Sequence, residues 1–96
     1  MIIYIAGKIQ GDPEYKRKFA KAAKWVRNLG DTALNPARHP AGLTKADYMR
    51  MNFAMIDTAD MVYFLPDWQD SEGARLERAY CDYVGKGYIT IEEGEI

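Results

Sequence analysis

Cysteine and histidine are almost absent from this chain: Cys81 and His39 are the only ones among 96 residues. A lone cysteine excludes an internal disulfide and any cysteine-built metal centre. No grouping of His, Asp and Glu has metal-ligand spacing, so neither a metal nor a cofactor is expected. Long apolar runs are also missing. Nothing approaches the roughly 20 residues of a membrane span, and the first residues lack the basic-then-apolar order of a signal peptide. A cytoplasmic protein without membrane contact is the expectation. An excess of one charge is missing too, since 13 Lys/Arg face 14 Asp/Glu. That balance argues against nucleic acid as a partner.

What is present suits one folded domain over residues 1–96. Hydrophobic residues make up 48% and aromatics 12%, enough for a core in a chain near the small end of the range that folds alone. The charges are unevenly placed, with ten Lys/Arg against four Asp/Glu in residues 1–50 and three against ten in residues 51–96. Most of the basic residues (Lys16, Arg17, Lys18, Lys21, Lys24, Arg27) fall on one predicted helix and read as its solvated face. Complementary halves meeting in a homo-oligomer is a second explanation.

Apolar patterning predicts the elements. Residues 1–6, Met-Ile-Ile-Tyr-Ile-Ala, form a near-continuous apolar run, as in a strand buried on both faces. Gly7 to Gly11 make a loop, and Asp12-Pro13 reads as a helix start. Phe19, Ala22, Ala23, Val26 and Leu29 follow at helical spacing up to a stop at Gly30. Thr32–Asn35 is a short strand closed by Pro36. After a loop at 36–43, Thr44 with Asp47 resembles a capping box opening a helix to Ala59. Met61–Leu65 is a third strand, Asp70 or Ser71 caps a helix running to Val84, and Tyr88–Ile91 is a fourth strand. The acidic tail Glu92–Ile96 is expected to fray. This βαβαβαβ order predicts an α/β fold: a four-stranded parallel sheet, order 2-1-3-4, with helices on both faces in a Rossmann-like or flavodoxin-like three-layer sandwich. The switch point then lies between strands 1 and 3, where the loops Gly7–Gly11 and Pro66–Ser71 meet. Open α/β sheets bind ligands at such points.

The stretch Ser71-Glu72-Gly73-Ala74-Arg75-Leu76-Glu77 follows the third strand into its helix. Free N–H groups at that helix start suit an anion. At 100° per residue, Gly73, Leu76, Tyr80, Tyr83 and Val84 share one face, and Glu77 lies at its edge. A carboxylate there is partly desolvated and open to catalytic use; a surface Glu paired with Arg78, Arg75 or Lys24 is the plainer alternative. Gly7 and Gly11 allow close backbone approach to a ligand, and Lys8 could add charge toward a phosphate. A tight turn would need the same glycines. Tyr4 reads as a core aromatic. Asn35 either holds a ligand or shapes the turn before Pro36. Asn52 and Asp57 belong to the second helix, and Asp60 to its exit. His39 has no partner that spacing can identify and is given no catalytic role. Nothing resembles a nucleophile elbow.

At these residues the chain resembles the nucleoside 2-deoxyribosyltransferase-like superfamily. Within it, short phage and bacterial domains of unknown function look most similar, through YIAGKIQGDPEY, the LNP segment, and FAMIDTADMVYFLPDW followed by a Ser-x-Gly-Ala helix. A more distant resemblance is to the 2′-deoxynucleoside 5′-phosphate N-hydrolases. Their Tyr-x-x-Gly-x-Ile-x-Gly loop falls on Tyr4, Gly7, Ile9 and Gly11. Their Ser-x-Gly-x-x-x-Glu helix falls on Ser71, Gly73 and Glu77. The resemblance implies that Glu77 is a nucleophile at the anomeric carbon of a deoxynucleoside or its 5′-monophosphate, followed by hydrolysis or transfer to a second base. Tyr4 would orient Glu77 or the sugar. Ser71, Gly73 and the Gly7–Gly11 loop would hold a 5′-phosphate or hydroxyl. Two positions depart from the N-hydrolases: Lys8 stands where they have a small Ser, and Asn52 where they have an Asp. The chain also ends soon after the fourth strand, without the elements by which larger members complete a neighbour's site. The relatives imply a homo-oligomer. The alternative function is a non-catalytic nucleotide-binding or sensing module using the same cleft.

Overall fold

The computed structural model describes residues 1–96. In chain order they form strand β1 (Ile2–Ala6), helix α1 (Tyr15–Asn28), strand β2 (Thr32–Leu34), a 3-10 turn (Pro36–Arg38), helix α2 (Lys45–Thr58), strand β3 (Met61–Phe64), a second 3-10 turn (Trp68–Asp70), helix α3 (Glu72–Val84) and strand β4 (Tyr88–Thr90). All strand pairs are parallel, and the sheet order is β2-β1-β3-β4. The expected order therefore holds, with each strand one residue shorter at one of its ends. No helix is long and apolar enough to cross a membrane.

The two-residue period of β1 divides the core. Ile3 and Ile5 point to one side, where Phe19, Ala22, Ala23 and Val26 of α1 cover them. Tyr4 and Ala6 point to the other, with Val62 and Phe64 of β3, Ile56 of α2 and Cys81 of α3. Right-handed crossovers require this arrangement: the chain moves one way from β1 to β2 and back the other way to β3 and β4, so α1 lies opposite α2 and α3. Ile3, Tyr4, Ile5 and Phe64 are fully buried.

Four local expectations change. Helix α1 starts at Tyr15, not Pro13, because Asp12 turns its carboxylate to the Glu14 N–H (2.9 Å) and to Lys18 rather than capping a helix. Lys18 is not part of a solvated face. Its ammonium is half-buried and donates to Asp12 (2.5 Å), to the Lys8 carbonyl (2.8 Å) and to Asp67. The tail does not simply fray: the Glu92 N–H donates to Glu95 Oε1 (2.7 Å), and Ile96 packs on the α1-side core. Finally, α3 turns a different face inward. Ala74, Glu77 and Cys81 are its buried residues, whereas Leu76, Tyr83 and Val84 are 49%, 91% and 47% exposed. Ala74 and Cys81, small residues at i and i+7, face inward on either side of Glu77, and larger apolar side chains are left outside. The capping box of Thr44 and Asp47 and the Ser71 cap form as expected.

Lys18 joins the loop after β1 to the loop after β3. Charge-assisted bonds from a half-buried ammonium are stronger than surface pairs. Lys18→Met should therefore lower stability by about 1–2 kcal/mol in urea denaturation, with a smaller difference at high salt.

Candidate active site

A cleft of about 1000 Å³ opens at the carboxyl ends of β1 and β3, at the point where the strand order reverses. Gly7, Ile9 and Gly11 line it from the loop after β1. Gly7 is needed for close approach, since a Cβ there would stand 2.8 Å from Leu65 Cδ1. Gly11 has φ +80°, a conformation that disfavours other residues. From the other side come Ser71 and Gly73 at the start of α3, with Met49 and Asn52 of α2 facing them.

Glu77 lies within this cleft yet is only 3% exposed. The Tyr4 hydroxyl donates to its Oε2 at 2.7 Å. Tyr4 is therefore both the core aromatic of β1 and a polar contact in the site. Asn52 of α2 lines the same cleft, its amide favouring the charged form of the carboxylate, and no Lys or Arg pairs with it. Arg78, one of the expected partners, instead donates to Thr90 and lies over the Trp68 ring at 4.0 Å. Burial raises the Glu77 carboxyl from 4.5 to about 7, against the opposing pull of the Tyr4 hydroxyl and the Asn52 amide. The Tyr4 phenol is raised well above its usual range, first by burial and then by the Glu77 charge. Burial likewise pushes the Cys81 thiol up to about 11, so it is not a reactive thiolate at neutral pH.

Lys8 and Asn35 do not line the cleft. The Lys8 N–H is tied to Asp67 Oδ1 (3.1 Å) and its carbonyl to Lys18, which fixes that residue beside the neighbouring loop. Asn35 Oδ1 accepts from the Ala37 N–H at 2.9 Å and caps the 3-10 turn, so it shapes the turn. Conversely, His39 does enter the site: its Nε2 is 2.9 Å from Asn52 Oδ1. No spacing rule links a loop residue to a helix residue across a turn, so only its place beside Pro40 marked it.

The walls are acidic. Asp12, Asp70 and Glu72 line the cleft with Glu77, and Lys45 is the one cation among the lining residues. Lys45 is itself paired with Glu72 at 3.3 Å. Ser71 Oγ is engaged by the Ala74 N–H at 3.1 Å, and Asp70 and Glu72 flank the α3 N-terminus. Carboxylates there offset the helix dipole that would otherwise attract an anion.

The open parallel sheet, with a buried carboxyl at its switch point, defines a Rossmann-like domain with a cleft of small-molecule size. The chain belongs to the family described as a domain of unknown function, DUF4406, which matches over residues 1–90. Among solved structures, a 2-deoxyribosyltransferase from Bacillus psychrosaccharolyticus superposes with a TM-score of 0.73 at 19% identity, covering 94% of this chain and 71% of that one. At that identity the likeness is one of fold. No curated protein matches the chain.

The raised carboxyl has a consequence for stability. Its folded-state value of about 7 lies above the ordinary 4.5, so the native state binds the proton more tightly than the unfolded chain. Stability is then greatest below the lower value and declines as pH rises through the window between them. Glu77→Gln should remove that slope and gain on the order of 3 kcal/mol at pH 8, measured by urea denaturation across pH.

Proposed function

We propose that this protein cleaves the N-glycosidic bond of a deoxynucleoside, with Glu77 as nucleophile. The observation that carries this reading is a desolvated carboxyl inside the cleft, held by the Tyr4 hydroxyl and without a cationic partner. In the ionised form, a Glu77 oxygen attacks the anomeric carbon as the bond to the base nitrogen breaks. The bonding pair leaves with the base, which takes up a proton. The glycosyl ester on Glu77 is then opened by water, giving free sugar and restoring the carboxylate, or by the nitrogen of a second base, giving a new nucleoside. A carboxylate beside an oxocarbenium-like transition state stabilises its positive charge. Tyr4 holds the carboxylate in place. Gly7, Ile9 and Gly11, with Ser71 and Gly73, form the walls against which the sugar would rest.

The acidic lining supports a free 5′-hydroxyl rather than a 5′-phosphate. A phosphate would meet Asp70 and Glu72 with only the paired Lys45 to offset them. The resemblance noted from the sequence adds self-association, for which Tyr83 and Val84 on the outside of α3 offer apolar surface.

The test is release of free base from a panel of deoxynucleosides and their 5′-monophosphates, followed by chromatography. Wild-type protein is expected to release base, faster from nucleosides than from monophosphates. Glu77→Ala should lose about 10³-fold or more, and Tyr4→Phe about 10- to 100-fold. Because the nucleophile must be ionised, kcat/KM should rise with pH through about 7. Binding of nucleosides with no release from any of them would reassign the cleft to a ligand-binding module.

A further inference from the structure

We propose that His39 is a positioning residue for Glu77 and acts through Asn52: its Nε2–H holds the Asn52 carbonyl oxygen, so that the amide NH2 faces the Glu77 carboxylate. The inference rests on the reading of Glu77 as the reacting group, and three features of the site carry it.

The first is the arrangement of polar groups. His39 Nε2 lies 2.9 Å from Asn52 Oδ1, Asn52 and Glu77 line the same cleft and the amide favours the charged carboxylate, and the Tyr4 hydroxyl donates to Glu77 Oε2 from β1. The second is burial. Asn52 is 7% exposed and Glu77 3%, so a reversed amide could not find water in place of its partner. The third is the setting of the imidazole. It stacks on Tyr48 with centroids 6.3 Å apart, and the Tyr48 hydroxyl donates to the Pro40 carbonyl (2.7 Å) and accepts from the Leu43 N–H (3.2 Å). The loop that carries His39 is therefore pinned to α2, the helix that carries Asn52.

An asparagine amide has two orientations related by a half-turn, and its surroundings choose between them. With a proton on His39 Nε2, the amide oxygen must face the imidazole and its NH2 group must face Glu77. With that nitrogen unprotonated the amide would reverse, placing its carbonyl oxygen against a carboxylate in a desolvated site, acceptor facing acceptor. The ionised form of Glu77 therefore selects the Nε2–H form of His39, and His39 in turn favours ionised Glu77. The groups facing the carboxyl from the packed elements are Tyr4 on β1, Asn52 on α2 and Cys81 on α3 itself, with no lysine or arginine among its partners. Losing the Asn52 donor would therefore leave Tyr4 as the one strong support for the charge.

The experiment is a carbon-13 NMR titration of the ligand-free protein with labelled glutamate carboxyls, the Glu77 signal being assigned by its loss in Glu77→Gln. His39→Phe keeps a ring to stack on Tyr48 but removes the donor; His39→Gln restores one. The Glu77 midpoint should rise by about one pH unit in His39→Phe and stay near wild type in His39→Gln. In an Asn52→Leu background, His39→Phe should cause no further shift. If base release is present, the rising limb of kcat/KM should move with the midpoint. An unmoved midpoint in folded His39→Phe overturns the proposal, as does a shift that persists without Asn52. Reduced base release at every pH with an unmoved midpoint also overturns it, by making His39 a packing residue. His39→Ala is read in the same way if the phenylalanine variant does not fold. A shifted midpoint with no base release from any nucleoside would uphold the positioning and overturn only the proposed chemistry.

Discussion

The hydrogen bond from Tyr4 to Glu77, 2.7 Å long and fully enclosed, joins the strand beside the switch point to the helix that closes the cleft. A carboxyl at 3% exposure would be costly to keep charged without partners. Here burial and hydrogen bonding oppose each other, and the group settles near neutrality, at about 7. A surface glutamate would stay ionised and hydrated, a poorer nucleophile; a buried one without donors would stay protonated. The proposed nucleophilic use at neutral pH needs the intermediate condition, toward which Tyr4 and Asn52 both act.

The rest of the fold keeps those groups in register. Because Tyr4 sits opposite Val62 in the parallel ladder, its ring points into the core shared with Ile56 and Cys81. Ala74 and Cys81 are small enough for α3 to lie close, which brings Glu77 within reach of the phenol. The loop edges are fixed by charge rather than apolar packing: Lys18 gathers Asp12, Asp67 and the Lys8 carbonyl. An anchored rim around a partly desolvated floor is the arrangement that preorganised electrostatics require.

Local charge also separates ligands that the fold alone would admit. The α3 N-terminus, taken by itself, suits an anion. Asp70 and Glu72 on either side of the Ser71 cap offset that tendency, and Lys45 is committed to Glu72. The acidic rim thus disfavours a phosphate at this end of the cleft, in keeping with the proposed nucleoside substrate.

Element order, parallel topology and the meeting of two loops at one switch point were legible in the sequence, since they follow from local periodicity, capping and the handedness of crossovers. Thr44 with Asp47, Ser71, and the apolar runs of β1 and β3 announced their elements through neighbours within four residues. Hydrophobic periodicity favours the face of α3 with the larger apolar side chains, whereas the fold buries Ala74, Glu77 and Cys81. Lys8 and Asn35 looked like ligand contacts, yet neither lines the cleft: the Lys8 backbone is tied to Asp67 and Lys18, and Asn35 caps the 3-10 turn. His39 carried no signal of its contact, because its partner is on another element. The sequence by itself determined where a cleft would form and that Glu77 stood beside it. Only the tertiary structure decided that Glu77 is buried, that Tyr4, 73 residues away, holds it, and that His39 meets Asn52 at the cleft. Those outcomes depend on side-chain directions and desolvation across packed elements, which no local pattern encodes.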